Sequence, residues 1–198
     1  MNITKILLFS ALLFSPLTYG MTVLRVGYGY SDISSHAFSN YKTNVTGSSF
    51  QVGLADRVSL IEYGILYTKG SYSGKLKHDG ADLEFKGSFS RINLDSKVFI
   101  NKHFFFQVGY GFSSSKFNIL TSISEYQKNS IYSLYNLKDS DKTGAIYYGI
   151  GIDIFATKTF NVSASLNRNK IDNEKSETAA MIGLKMSFDF GSKDFLSP

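Results

Sequence analysis

The residues that could do chemistry in this 198-residue chain are few. The histidines are His36, His78 and His103, and there is no cysteine. Catalysis through a histidine needs a nucleophile and an orienting acid at fixed spacing. His36 and His78 lie in serine-rich polar stretches, where a neighbouring serine carries little information, and His103 lies in the short segment Asn101-Lys102-His103. No His-x-Ser pair stands at the end of a periodic element, so no catalytic residue is assigned. Without cysteine there are no disulfides and no zinc–thiolate sites, and no metal or cofactor is assigned. No glycine-rich loop precedes a helical pattern, so nucleotide binding has no support. Asn44-Val45-Thr46 and Asn161-Val162-Ser163 match the glycosylation pattern and are read as chance.

What remains is a set of charges in alternating surroundings. Arg25, Glu62, Arg91, Asp95, Lys97, Asp153, Lys185 and Asp189 are each flanked by apolar residues or serine, on the parity that also carries most of the glycines. A strand turns successive side chains to opposite faces, so these charges share one face and the bulky residues the other. Charges enclosed on such a face must pair. The first and last strands are neighbours in a closed barrel, so Arg25 is expected to meet Asp189.

The elements that position them are strands. Residues 104–112 set the pattern: Phe104, Phe106, Val108, Tyr110 and Phe112 on one face, Phe105, Gln107, Gly109 and Gly111 on the other. It recurs at about 22–31, 46–54, 58–69, 88–98, 143–155, 159–168 and 177–190, which gives eight strands. Short turns (55–57, 99–103, 156–158) alternate with longer polar segments (32–44, 69–86, 113–142, 169–176). Each strand is near the roughly 9–11 residues that cross a bilayer when tilted. A closed barrel inserted from one side has short turns at one end and long loops at the other.

The chain's start fits export. A basic opening, the apolar run 6–14 and a small residue at Gly20 read as a signal peptide over 1–20. Residues 21–190 then form one barrel and 191–198 a short tail. The competing readings are a soluble lipocalin-like barrel and a sandwich. Glycine on the non-greasy face (Gly27, Gly29, Gly53, Gly64, Gly109, Gly111, Gly149, Gly151, Gly183) disfavours both, because bare glycine is a poor solvent-facing strand residue and suits a narrow lumen. The fold class is therefore all-β, an eight-stranded antiparallel transmembrane up-and-down barrel in the bacterial outer membrane. An interior of that size is filled by side chains, so little or no ion conduction is expected. The formal charge of +5 is scattered and does not point to nucleic acid.

The Val26-Gly27-Tyr28-Gly29-Tyr30 and Val108-Gly109-Tyr110-Gly111-Phe112 strands, the stretch Tyr148–Asp153 and the aromatic close at Phe188 and Phe190 resemble the Ail, OmpX and Lom family within the OmpA-type group. The resemblance covers residues 22–190. It implies a non-enzymatic surface protein with roles in adhesion, serum resistance or the envelope. It also implies that the barrel-assembly machinery reads an aromatic signal, here Phe188 or Phe190. Some small outer-membrane barrels instead modify lipid A with His and Ser at the outer rim, a pairing this sequence lacks.

Aromatics on the apolar parity suggest two girdles: Tyr30, Phe50, Tyr67 and Phe112 at the loop end, and Phe99, Phe104, Phe155, Phe160, Phe188 and Phe190 at the turn end. Lys69, Lys116 and Arg168, with Lys142 nearby, stand outward at the loop end, level with lipopolysaccharide phosphates. Asp79-Gly80 is a hairpin signal, so the third and fourth strands are expected to continue above the membrane as a ribbon. The alternation changes phase between Phe85 and Ile92, which predicts a bulge near Gly87. Segments 69–86 and 113–142 are the expected contacts for a host surface protein.

Overall fold

The computed structural model describes residues 21–35, 45–78, 81–134, 140–157, 159–170 and 175–188. Eight antiparallel strands close on themselves in sequence order: β1 Met21–Ser35, β2 Thr46–Val58, β3 Ile61–His78, β4 Ala81–Phe99, β5 Phe104–Ile119, β6 Ser140–Ala156, β7 Phe160–Lys170 and β8 Lys175–Phe188. Among the described residues there is one helix, α1, Glu125–Leu134. Closure is made by β1 on β8, paired without a break from Thr22↔Phe188 to Ser35↔Lys175. Residues 1–20, read above as a signal peptide, residues 191–198, Asp189, Phe190 and Asp79-Gly80 lie outside the described residues.

The alternation read from β5 is literal. From Phe104 to Phe112 every odd-numbered residue is buried and every even-numbered one exposed. Seven of the eight strands, all but β8, are longer than the periodicity suggests, chiefly at the loop end, where outward residues become Ser and Lys.

The turns are built by local chemistry. The expected turn at Ala55-Asp56-Arg57 is not there. Those residues continue β2, and the chain reverses at Ser59-Leu60, between the paired Val58 and Ile61. Ala55 is buried inside the barrel and Arg57 lies 4.0 Å over the Phe99 ring, so both are held as strand. Ser59 takes φ 56°, the left-handed conformation that a two-residue hairpin requires. At 101–103 the Asn101 side chain accepts hydrogen bonds from the Phe104 and His103 amides at 2.9 and 2.8 Å, an Asx turn.

Two other expectations fail for one reason. There is no bulge at Gly87, since β3 and β4 pair continuously through Tyr72↔Gly87. The register shift instead falls in β6, between Asp153 and Phe155. Phe85 and Phe89 simply face inward, on the same parity as Arg91, and so does Phe99, which is 1 % exposed and not part of a girdle. The inward face changes from polar to aromatic at both ends of the barrel, and this mimics a change of phase.

The segment 113–142, expected to be irregular, is mostly regular. Residues up to Ile119 extend β5, and α1 follows. Ser124 caps α1 by a reciprocal box: its hydroxyl accepts from the Gln127 amide at 3.3 Å, and its own amide donates to the Gln127 side chain at 3.1 Å. Ile131 of α1 then buries itself among Ile33, Val45, Tyr72, Leu83 and Phe85, so the helix lies across the loop end of the barrel.

Candidate functional site

β4 gives a section through the interior, because its inward residues from Phe99 to Leu83 are all buried. Next to the turns stands an aromatic floor, where Phe99 and Phe105 pack with ring centres 5.4 Å apart. Lys97, Asp95, Asn93 and Arg91 follow in a polar middle. Phe89, Phe85 and Leu83 then enter an apolar cap, in which Phe85 meets Phe117 at 5.2 Å and Phe117 meets Tyr132 of α1 at 5.8 Å.

The middle layer is a charge lattice. Arg25 reaches across to β3 and β4: its Nε lies 2.5 Å from Glu62 and its Nη1 2.5 Å from Asp95. The Tyr147 hydroxyl donates to Asp95 at 2.8 Å. Lys185 pairs with Asp153 at 2.7 Å, and Asn161 donates to the same carboxylate at 3.5 Å. Nearer the cap Arg91 pairs with Glu177 at 2.5 Å, its guanidinium 4.7 Å from the Phe89 ring, and Asn169 donates to Glu177 at 3.0 Å. Gln107 donates to Asn167 beside them. The buried cations Arg25, Arg91, Lys97 and Lys185 face as many buried anions, Glu62, Asp95, Asp153 and Glu177. A low-dielectric interior tolerates charge when it is paired and hydrogen-bonded.

Seven of the eight residues expected in the lumen are therefore there, and Asp189 lies outside the described residues. The expected contact of Arg25 with Asp189 is therefore untested, and the described partners of Arg25 are Glu62 and Asp95. These carboxylates come from β3 and β4, because a barrel this narrow lets side chains meet across its axis as well as along neighbouring strands. Glu177 went unread. It sits at the loop end of β8, next to a polar stretch where a carboxylate looks like ordinary surface.

A cavity of about 30 Å³ remains in the polar layer, bordered by Arg25, Lys97 and Lys185. That is room for a water or a little more, and it lies between the aromatic floor and the cap.

The outer face is the converse. Leu24, Val26, Tyr28, Phe50, Leu54, Ile65, Tyr67, Ile92 and Leu94 point outward, and the same pattern runs round β5–β8 to Phe188. Tyr28 is 63 % exposed and Ile182 65 %. A water-soluble monomer rarely shows more than a few hundred Å² of contiguous apolar surface, and here the band circles the barrel. It stops abruptly at the loop end: Tyr67 gives way to Lys69, Ile92 to Ser90, Phe112 to Ser114 and Leu166 to Arg168. It is a transmembrane barrel. An apolar exterior around a polar interior is the inverse of a soluble barrel, and the eight-strand count with short turns at one end is that of small outer-membrane barrels.

Of the expected girdles, Tyr30, Phe50, Tyr67, Phe112, Phe104, Phe155, Phe160 and Phe188 are exposed, while Phe99 is inside. Lys69, Lys116, Lys142 and Arg168 are all exposed just above the band, and Lys86 joins them on β4. The Nδ1 of His103 lies 3.1 Å from the Asp153 carbonyl in the turn region. His36 and the His78 side chain lie outside the described residues. Among the described residues no group of three His, Asp or Glu side chains is placed to hold a metal.

No family model matches the chain, and no curated protein matches it. Solved structures similar to it include the attachment invasion locus protein Ail of Yersinia pestis, at 14 % identity over 86 % of this chain and 100 % of that one, with a TM-score of 0.49. Neisserial surface protein A is similar at 13 % identity over 84 % and 97 % of the two chains, TM-score 0.49. The outer-membrane protein OprG of Pseudomonas aeruginosa is similar at 14 % over 85 % and 96 %, TM-score 0.46. Eight-strand closure and the lipid-facing band stand on the register and exposure given above.

Proposed function

We propose that this barrel is a non-enzymatic outer-membrane surface protein whose β3–β4 ribbon carries adhesion to a host surface protein. The observation that supports this is where the pairing stops. β2 last pairs with β3 at Thr46↔Ser73, and β4 last pairs with β5 at Phe85↔Ile119. Beyond those points β3 and β4 run on together to His78↔Ala81. The β4 edge is partly covered, since the Leu120 amide donates to the Glu84 carbonyl and the Glu84 amide donates to Thr121 Oγ1, both at 2.8 Å. The β3 edge from Gly74 to His78 has no strand beside it among the described residues. An uncovered edge binds extended segments by strand addition.

The ribbon's register is reinforced in solvent by Lys75 and Glu84, 2.8 Å apart. Their shared hydrogen bond raises the Lys75 pKa and lowers that of Glu84. The pair thus stays ionised from mildly acid to alkaline pH, and it weakens only as Glu84 protonates below its depressed pKa or Lys75 loses its proton above its raised one.

Excising residues 75–84 and closing the strands with Asn-Gly is expected to leave heat-modifiable gel mobility intact. Binding to host cells should fall on the order of tenfold, about 1.4 kcal/mol. Unchanged binding with an intact barrel would remove the ribbon from the reading.

The exposed cations above the band support a second contact, with lipopolysaccharide phosphates. Replacing Lys69, Lys116, Lys142 and Arg168 together by glutamine is expected to reduce the lipopolysaccharide retained on purification. Equal retention would return these residues to ordinary solvated surface. Phe188, outward at the end of β8, is the described candidate for recognition by the barrel-assembly machinery.

A further inference from the structure

We propose that the polar layer of the lumen holds a small monovalent anion, chloride in size and charge, beside the ammonium of Lys97. The cavity of about 30 Å³ there is bordered by Arg25, Lys97 and Lys185, by the amides of Gln51 and Gln107, and by the Ser163 hydroxyl. Each of these can donate a hydrogen bond, and no carboxylate borders the space.

The three carboxylates of this level have closer cationic partners than Lys97, although Glu62 stands opposite Lys97 in the β3–β4 register. Glu62 and Asp95 bind Arg25, and Asp153 binds Lys185. Lys97 is 8 % exposed and has neither a carboxylate in ion-pair range nor a hydrogen-bond acceptor among the described residues. Its ammonium lies 4.7 Å from the centre of the Phe105 ring, which covers one side of it, and the cavity lies beside it. Arg25 and Lys185 also stand directly opposite each other across the β1–β8 pair, a like-charge juxtaposition that an anion between them would ease.

The balance of charges over the whole lumen does not discharge this space. The field at a point in a low-dielectric interior is dominated by the nearest groups, and the nearest groups here are cations. The volume admits a water or a halide. The cavity lies between the floor of Phe99 and Phe105 and the apolar cap, so the ion is supplied while the barrel folds.

The native chain and Lys97→Met are refolded from urea into detergent in sodium chloride, sodium bromide or sodium gluconate at equal ionic strength. The thermal midpoint of the gel-mobility shift is read for each. A bound ion stabilises the folded state by mass action, so chloride and bromide should raise the native midpoint over gluconate by about 2–4 °C. Lys97→Met should show the same midpoint in all three salts. No halide shift in the native chain, or an equal shift in both chains, overturns the proposal. Should Lys97→Met fail to fold, crystals of the native chain grown in bromide decide: an anomalous peak beside Lys97 Nζ sustains the site, and water or empty density there refutes it.

Discussion

Arg25→Met should lower the folding stability of this barrel by about 3–5 kcal/mol, the cost of removing one partner from a buried ion cluster. Met matches the length of the arginine stem and keeps its apolar packing, so the loss is electrostatic. The substitution leaves Glu62 and Asp95 facing each other without the guanidinium that holds both at 2.5 Å. Tyr147 still donates to Asp95, but a hydroxyl does not neutralise a carboxylate. Urea titration of the barrel refolded in liposomes, followed by gel mobility, measures the difference.

Glu62→Gln should cost less, because Arg25 retains Asp95 and a neutral amide still fits the space. The triple change Arg25→Met, Glu62→Gln, Asp95→Asn should recover most of the loss, since it removes charge from both sides. This ordering separates pairing from packing. If Arg25 acted mainly by filling space, the triple variant would be no better than the single. A cost for Arg25→Met within about 1 kcal/mol would place the cluster in the solvated regime of surface salt bridges and contradict a closed interior.

The parts of this structure that were legible in the sequence are those set by parity. Period-two alternation in 104–112 and its copies reads directly as one face to lipid and one to the lumen, because a strand offers only two faces. The charges on the lumen parity followed from the same rule. Parity says which face a residue takes and nothing about what that face meets. Arg91 and Phe89 stand on one face two residues apart, yet one enters a charge lattice and the other an apolar cap. Read as chemistry, that change suggested a bulge; in the barrel it is only height. The same limit hid Phe99 in the floor and hid Glu62 and Asp95 as partners of Arg25, because contacts across the axis depend on barrel closure and not on strand adjacency. Helix α1 was legible in principle. Ser124 and Gln127 form a capping box that is present in the sequence, and a long serine-rich stretch obscured it.

Glycine on the lumen parity has a sharper consequence than the one that suggested a membrane barrel. None of the described lumen glycines takes a left-handed φ, so their role is space and not backbone freedom. Space is not equally short at each. A methyl group built on Gly64 would stand 2.5 Å from the Ala55 Cα and 2.7 Å from its Cβ, against backbone and a side chain with no rotamer to give. One built on Gly27 would meet its nearest atoms at 3.5 to 3.7 Å, which is ordinary contact, and one of them is the flexible end of Met181. Gly64→Ala is therefore expected to cost about 1–3 kcal/mol, the usual range for overpacking. Gly27→Ala should be neutral or stabilise by about 0.4–1 kcal/mol, because the unfolded chain loses freedom and the native site accepts the methyl. The two positions lie on one face of one barrel, and urea midpoints of both variants in the same liposomes compare them directly. Equal losses would mean that the lumen excludes bulk everywhere by its width. A loss at Gly64 alone would locate the constraint in the close approach of β2 and β3, where Ala55 stands opposite.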